Sequence, residues 1–520
     1  MTSWDYVIVG GGSAGTVMAA RLSECPSARV LLLEAGPDWR SVDAPVAIRR
    51  PELWSELMLD PKHKHWHWPD ITARRTSAQA FHPYRQGFGL GGCSVINGMV
   101  ALRPPLADFD DWQAQGCLGW SASDVLRSFV RLEDDAMFGH QPYHGVAGPI
   151  PVYHPERGEW TALDEAFVDA ATGAGYRWNP DQNSPEPAGV GIYPGNLRNG
   201  ERVTANDAYL EPARHRKNLT ILGGSLVDRV IIDKSEQVAV GVRFRYAGEW
   251  RTAESGEVIL CAGAIHSPAI LMRSGIGPAD ELSRIGIQVV HDVPVGQGLQ
   301  DHPMLPILLE GDSLESPRPG RGFNVVLRDS SGIEASQTID FMVHPVYQND
   351  RFSRNIGLFV FLLHCNSRGR LRLTSPDPCV MPEIDEHMLS DKRDLAVMHE
   401  AIRLTTKLAQ RPELMRIAGR PRIGMGELTV REILNGERSD SLLLKEALDA
   451  KHISCTCPMG DPNDEGVVVN PEGEVIGVSK LRVADMSITP SVPRANTYLT
   501  AVMIGEHIAA IMRSNSAPAS

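Results

Sequence analysis

The chain has 520 residues, 42% hydrophobic and 22% charged, and a formal net charge of −13. That length buries a large core and leaves room for two or three domains. The acidic balance argues against nucleic acid or anionic membrane as a partner, and no run reaches the roughly 18 uninterrupted apolar residues of a membrane-crossing helix.

Taken in order, the first element is Tyr6 to Val9, a short apolar strand that stops at Gly10-Gly11-Gly12-Ser13-Ala14-Gly15. A helix-compatible run follows from Thr16 to Leu22, and Val30 to Leu33 reads as a second strand ending in Glu34. Strand, glycine turn, helix, strand and acid make a dinucleotide-binding arrangement. Gly10 permits the turn, Gly12 lets the backbone approach a pyrophosphate, and Gly15 lets helix and strand pack closely. The N–H groups at the helix start face the phosphates. Glu34, 24 residues after Gly10, is spaced to accept hydrogen bonds from an adenosine ribose. The N-terminus runs straight into this unit with no leader-like segment, so a cytoplasmic protein is expected.

His63, His65 and His67 alternate onto one face of an extended segment that Pro69 ends. No cysteine or carboxylate at ligand spacing completes a set, so a packing or solvated strand is expected and no metal. From Gly87 to Arg103 small residues are dense and interleaved with apolar ones, which suits a chain lying against a flat ligand with its N–H groups available. Residues 106–140 read as helical, with Trp112, Trp120, Val125 and Phe129 packing inward, and 141–200 as loops over short helices. Strand-like alternation runs through 219–260 and returns at Ile339–Val343 and Ile356–Leu363. Helical periodicity covers 392–410 and 429–448. The eight cysteines read as reduced thiols. Among them Cys455 and Cys457 take opposite faces of a strand and form no redox or metal pair.

Four stretches resemble the glucose-methanol-choline (GMC) flavin oxidoreductases, and the likeness spans nearly the whole chain. They are the GGGSAG turn with Glu34, the GLGGCSVINGMV stretch ending at Val100, Gly263–Gly277, and the C-terminal pair His452–Gly460 and Leu481–Thr497. The chain is most similar to the bacterial branch that acts on 5-hydroxymethylfurfural and pyridoxine. The resemblance implies an α/β fold in which a Rossmann-like FAD-binding domain is interleaved with a sheet-based α+β substrate domain. The first would comprise residues 1–155, 202–305 and 455–520, and the second 156–201 and 306–454.

It also implies FAD, with Gly10, Gly12, Ser13, Ala14, Gly15, Glu34 and Ala35 at the pyrophosphate and adenosine ribose. Gly91, Gly92, Ser94, Asn97, Gly98 and Met99 would run along the diphosphate and isoalloxazine, and Val227 would meet the adenine. Asp485 and Met486 would reach the ribityl side, with Asn496 and Thr497 close to the ring. Ile96 stands where some members carry a histidine that binds the flavin covalently, so non-covalent FAD is expected. Phe88 stands where the motif usually has a basic or polar residue. His452 and Asn496, 44 residues apart, match the catalytic positions. His452 would take the hydroxyl proton, since imidazole titrates near working pH. Asn496 would hydrogen-bond the developing alkoxide. His302 is assigned a structural role, and Val100, Met99 and Phe361 are candidate pocket lining.

The activity implied is oxidation of a small aromatic or heteroaromatic primary alcohol to its aldehyde, with hydride passing to flavin N5 and O2 reduced to H2O2. The alternatives are a dehydrogenase using a quinone or another acceptor, a sugar or glycoside oxidase, and a hydroxynitrile-lyase-type flavoprotein.

Overall fold

The computed structural model describes residues 3–309, 320–333, 338–349, 354–417, 421–423 and 439–516. The strand Trp4–Val9 lies between Val30–Leu33 and the end of Glu249–Leu260, parallel to both. Val7, Ile8 and Val9 are buried, as are all four residues of Val30–Leu33, which is what parallel strands covered on both faces require. Leu219–Leu222 and Leu481–Val483 extend this sheet in parallel, and Ser225–Asp233 and Val238–Tyr246 add an antiparallel meander.

The helix Ser13–Leu22 packs against the C-terminal helix Tyr498–Ser516. A side chain at Gly505 would meet the Val17 Cβ at 2.8 Å, so glycine permits the close crossing. Buried Glu506 pairs with Arg21 at 2.7 Å and accepts from the Tyr209 hydroxyl at 2.8 Å, tying the two helices to residues 206–210.

A second sheet is antiparallel throughout and runs in the order 421–423, Pro303–Leu309, Arg354–Leu362, Phe341–Asn349, Val325–Asp329, Gly189–Ile192. Strand alternation divides its side chains. Phe341, Val343, Leu358, Val360 and Leu362 join the core under the helices Ala162–Gly173 and Lys392–Ala409. Met342, His344, Phe359 and Phe361 point the other way, and this opposite face covers a cavity. A five-stranded sheet closes one side, built from 297–299, 369–372, 383–385, 72–74 and 82–83. Among the described residues no helix is long and apolar enough to cross a membrane.

Several local expectations change. The histidine-rich stretch is a 3-10 helix, Pro61–Trp66, started by the Asp60 side chain accepting from Lys62 N–H. Its histidines therefore part: His63 is buried on Glu56, His65 is exposed, and His67 Nε2 donates to the Leu57 carbonyl. Residues 106–140 form two helices, Ala107–Ala114 and Ala122–Leu132, followed by a short strand, Glu133–Asp135. Ala162–Gly173 is a twelve-residue helix where only short ones were expected. Cys455 has a left-handed φ of 67° and lies in no strand, so alternation does not apply to the Cys455/Cys457 pair. All eight cysteines are free. The strand expected from Ile339 begins at Phe341. Of the helix expected over 429–448, Ser439–Glu446 is helical and 429–438 lie outside the described residues.

Glu133, Asp135 and His144 form the one described cluster whose donor atoms all lie within 4.8 Å of one another. The protein's own groups satisfy it. Arg103 holds Glu133 at 2.6 Å, His144 bridges Glu133 and Asp181 at 2.7 and 3.1 Å, and His154 meets Asp135 at 2.8 Å. The cluster is a buried charge network that ties the strand Glu133–Asp135 to His144, His154 and Asp181.

A Cβ on Gly15 would lie 1.9 Å from the Gly10 carbonyl oxygen. Gly15→Ala is therefore expected to cost about 1–3 kcal/mol or more, seen as a lower Tm in thermal unfolding; an unchanged Tm would show that the turn relaxes freely. Burial also holds His266, His302 and His344 neutral, at about 3, 4 and 4. An unfolded histidine takes up its proton near 6.5, so between about 4 and 6.5 the unfolded chain binds more protons and stability falls as pH falls. His266→Phe, which keeps the stacking on Trp68, is expected to flatten the decline in unfolding free energy from neutral pH to pH 4.5 by an amount on the order of 1–3 kcal/mol, read by denaturant titration at each pH. An identical slope in the variant would overturn this account.

Candidate active site

Where the two main sheets face each other lies a cavity of about 530 Å³. One end is built by the glycine turn. Gly10 has φ +98°, and a Cβ there would strike the Cys261 carbonyl oxygen at 2.6 Å, so only glycine turns the chain at that point. The helix Ser13–Leu22 begins at Gly12 with no side-chain cap and no acid in its first turn. Its free N–H groups thus open toward the cavity, an anion-binding arrangement. A Cβ on Gly12 would meet nothing nearer than 3.9 Å, where it would face Gly92 Cα. The space beside the helix start is therefore open to a ligand, and the residues present fit a dinucleotide diphosphate. Gly92 in turn packs so close to Gly12 that its own Cβ would come within 2.7 Å.

Glu34 lines this end, its carboxylate accepting from Gly11 N–H at 2.7 Å and Gly36 N–H at 2.8 Å. Burial raises its pKa against those bonds. Ser13, Ala14 and Ala35 also line the cavity, as does Val227 from the strand Ser225–Asp233. Asp485 lines the middle. Its two oxygens accept from Gly263 N–H, Ser267 Oγ, Ser487 N–H and Ser487 Oγ at 2.6–2.9 Å, bracing the start of the helix Gly263–Arg273.

Gly98, Asn97, Met486 and Thr497 are cavity residues too. Asn97 is aimed by Arg202, whose Nη1 donates to the Asn97 Oδ1 and carbonyl oxygen, each at 2.8 Å, and to the Ser94 carbonyl at 3.0 Å. Arg202 is buried on carbonyl and amide oxygens, and desolvation lowers its pKa to about 9.

Four of the expected contacts lie behind the lining. Gly15 is packed on the Gly10 carbonyl, and Gly91 donates its N–H to the Gly11 carbonyl. The Ser94 hydroxyl is spent on the Gly91 carbonyl and Ala205 N–H. Met99 is fully buried with φ +56°, its carbonyl accepting from Arg321. These residues shape the wall from the second layer.

At the other end are His452 and Asn496. His452 Nδ1 is 2.9 Å from His302 Nδ1, with the rings at 85°. Nothing local in the chain predicts this pair, whose members are 150 residues apart. Asp301 holds both backbones, accepting from the N–H of His302 and of His452, and receives the Tyr84 hydroxyl at 3.2 Å. Burial first, then the neighbouring His302 and Lys451, keeps the His452 pKa well below its usual value. Asn496 Oδ1 accepts from the Tyr193 hydroxyl at 2.7 Å. Tyr193, Phe323, His344 and Phe359 join Val100 and Phe361 as lining. Sequence reasoning missed Tyr193 and His344, because a strand-end tyrosine and a lone strand histidine carry no local signal of a site.

The N- and C-terminal family models of the GMC oxidoreductases match residues 4–304 and 365–505. The chain is 35% identical to 5-(hydroxymethyl)furfural oxidase of Methylovorus sp. (strain MP688) over 535 residues, covering 98% of each chain. It is 36% identical to oxygen-dependent choline dehydrogenase of Pectobacterium atrosepticum over 553 residues, covering 97% of this chain and 94% of that one. Pyridoxine 4-oxidase from Mesorbium loti superposes with a TM-score of 0.89 at 28% identity, covering 98% and 99%. Matched in sequence along nearly its whole length and in fold, the chain belongs to the GMC oxidoreductases, a family of FAD enzymes.

Proposed function

We propose that the protein oxidises a small aromatic or heteroaromatic primary alcohol to its aldehyde, with dioxygen as acceptor and hydrogen peroxide as product. The reading is carried by the convergence of His452 and Asn496 at one end of the cavity, under a cover of aromatic side chains. The carboxylates that line the cavity are already engaged. Glu34 and Asp485 are held by N–H and O–H groups, while Asp449 is paired with Arg75, His82 and Lys451. The aromatic cover offers few partners for the many hydroxyls of a sugar. That favours an aryl alcohol over the sugar reading.

When bound, FAD supplies the hydride acceptor. The base is His452 Nε2, which requires that the single ring proton of neutral His452 sit on Nδ1 and be donated to His302 Nδ1. His302 can accept because burial keeps it neutral. With its pKa depressed, His452 stays unprotonated at neutral pH and ready to take the hydroxyl proton. Asn496, its Oδ1 occupied by Tyr193, turns its amide N–H groups to the substrate oxygen as charge develops there.

His452→Ala is expected to lower kcat by roughly 10²–10⁴ while flavin content stays normal, measured by peroxide release with benzyl and furfuryl alcohols. Wild-type turnover in that variant would remove His452 from the chemistry. Rapid peroxide release is expected from the wild type in air; turnover only with an added quinone would make it a dehydrogenase instead. With Ile96 at the usual attachment position, acid precipitation is expected to leave the flavin in the supernatant, whereas a yellow pellet would show a covalent link.

A further inference from the structure

His344 stands in the aromatic cover, on the strand Phe341–Asn349, and lines the same cavity as the catalytic pair. Its ring stacks on Phe361 at 5.2 Å and 24°, and lies 5.3 Å from the ring of Tyr193. The Tyr193 hydroxyl is itself bonded to Asn496, so His344 is one side chain removed from the reacting end. Phe323 at 5.5 Å and Phe359 at 6.0 Å also flank it, and the Arg321 guanidinium lies near enough to disfavour a charged ring.

A buried imidazole ordinarily has both nitrogens satisfied. Here Nδ1 meets only the carbonyl of the next residue, Pro345, at 3.4 Å. A carbonyl can only accept, so Nδ1 carries the proton and Nε2 is a bare acceptor. Nε2 has no partner among the described residues and is not fully enclosed, on a side chain that lines the cavity. Burial keeps the ring neutral at working pH. An acceptor in an otherwise apolar wall is costly to leave unmade when a ligand closes the cavity.

We infer that His344 is a specificity-determining residue: its Nε2 accepts a hydrogen bond from a second donor on the substrate ring, away from the hydroxymethyl group that reacts. The inference rests on the aryl-alcohol reading and narrows it. The substrate is a planar alcohol bearing a further hydroxyl, hydroxymethyl or ring N–H. Rings that carry only methyl or hydrogen there leave Nε2 unpaired and bind worse.

The test uses the FAD-loaded enzyme and two matched ligand sets, 3- and 4-hydroxybenzaldehyde against 3- and 4-methylbenzaldehyde, at slightly acidic pH where the phenols are protonated. These product analogues carry no oxidisable alcohol, so their Kd values, read from perturbation of the flavin spectrum, are independent of turnover. The wild type is expected to favour one hydroxy isomer over its methyl counterpart by at least about tenfold. His344→Phe keeps an aromatic wall and should bring that ratio close to one. His344→Gln, which returns a polar group near the Nε2 position, should restore part of it. The same ratios are then read as kcat/KM with the corresponding benzyl alcohols. Equal affinities in the wild type, or a preference that survives in His344→Phe, would overturn the inference. A His344-dependent Kd preference without any alcohol turnover would uphold it and overturn the oxidase reading instead.

Discussion

Much of this structure depends on one crowded junction. The carbonyl of Gly10 would lie 1.9 Å from a Cβ on Gly15, and the carbonyl of Cys261 would lie 2.6 Å from one on Gly10. Strand, turn, helix and the end of a distant strand thus meet at a distance only bare backbone allows. Because they meet there, the helix beginning at Ser13 directs its unpaired N–H groups into open space rather than onto a neighbour. The Gly91–Gly92 turn can then rest on Gly12, and the helix starting at Gly263 can approach from the other side, braced by Asp485. Close approach at this point joins the carboxyl ends of two central strands to one end of the cavity.

The reacting end is organised by hydrogen bonds that belong to no single motif. His452 meets His302 across 150 residues of chain, and Asn496 meets Tyr193 across 303. Asp301 pins the backbones of both histidines, and burial lifts its own pKa to about 6. Each catalytic candidate is therefore held by a residue from another element. This is the usual way in which a side chain is kept in one rotamer and one tautomer.

The second sheet shows how one strand serves two masters. In Phe341–Asn349 the odd positions Phe341 and Val343 pack under helices, while the even positions Met342 and His344 face the cavity side, with Arg354–Leu362 in matching register. A shift of one residue in that pairing would exchange core for cover. The core side is specified by apolar burial alone. The cavity side tolerates His344 because it is lined by aromatic rings and holds space on one flank.

The sequence by itself determined the dinucleotide turn, the family, the element types over most of the chain and the two catalytic candidates. These depend on local facts: which residues tolerate φ > 0, which period the apolar residues follow, and motifs whose spacing is set along the chain. It misread residues 61–66 as extended, because a short run of His and Lys obeys alternation and 3-10 geometry equally well until Asp60 caps it and Glu56 and Leu57 supply partners. It placed Gly15, Gly91, Ser94 and Met99 beside residues such as Gly12 and Asn97 that line the cavity, since a motif does not say which of its members face outward. Only the tertiary structure decided that His302 backs His452, that Tyr193 orients Asn496, and that His344 keeps a bare nitrogen toward the cavity. Those facts are distances between atoms far apart in the chain, and burial, which sets their protonation, exists only once the sheets have closed over them.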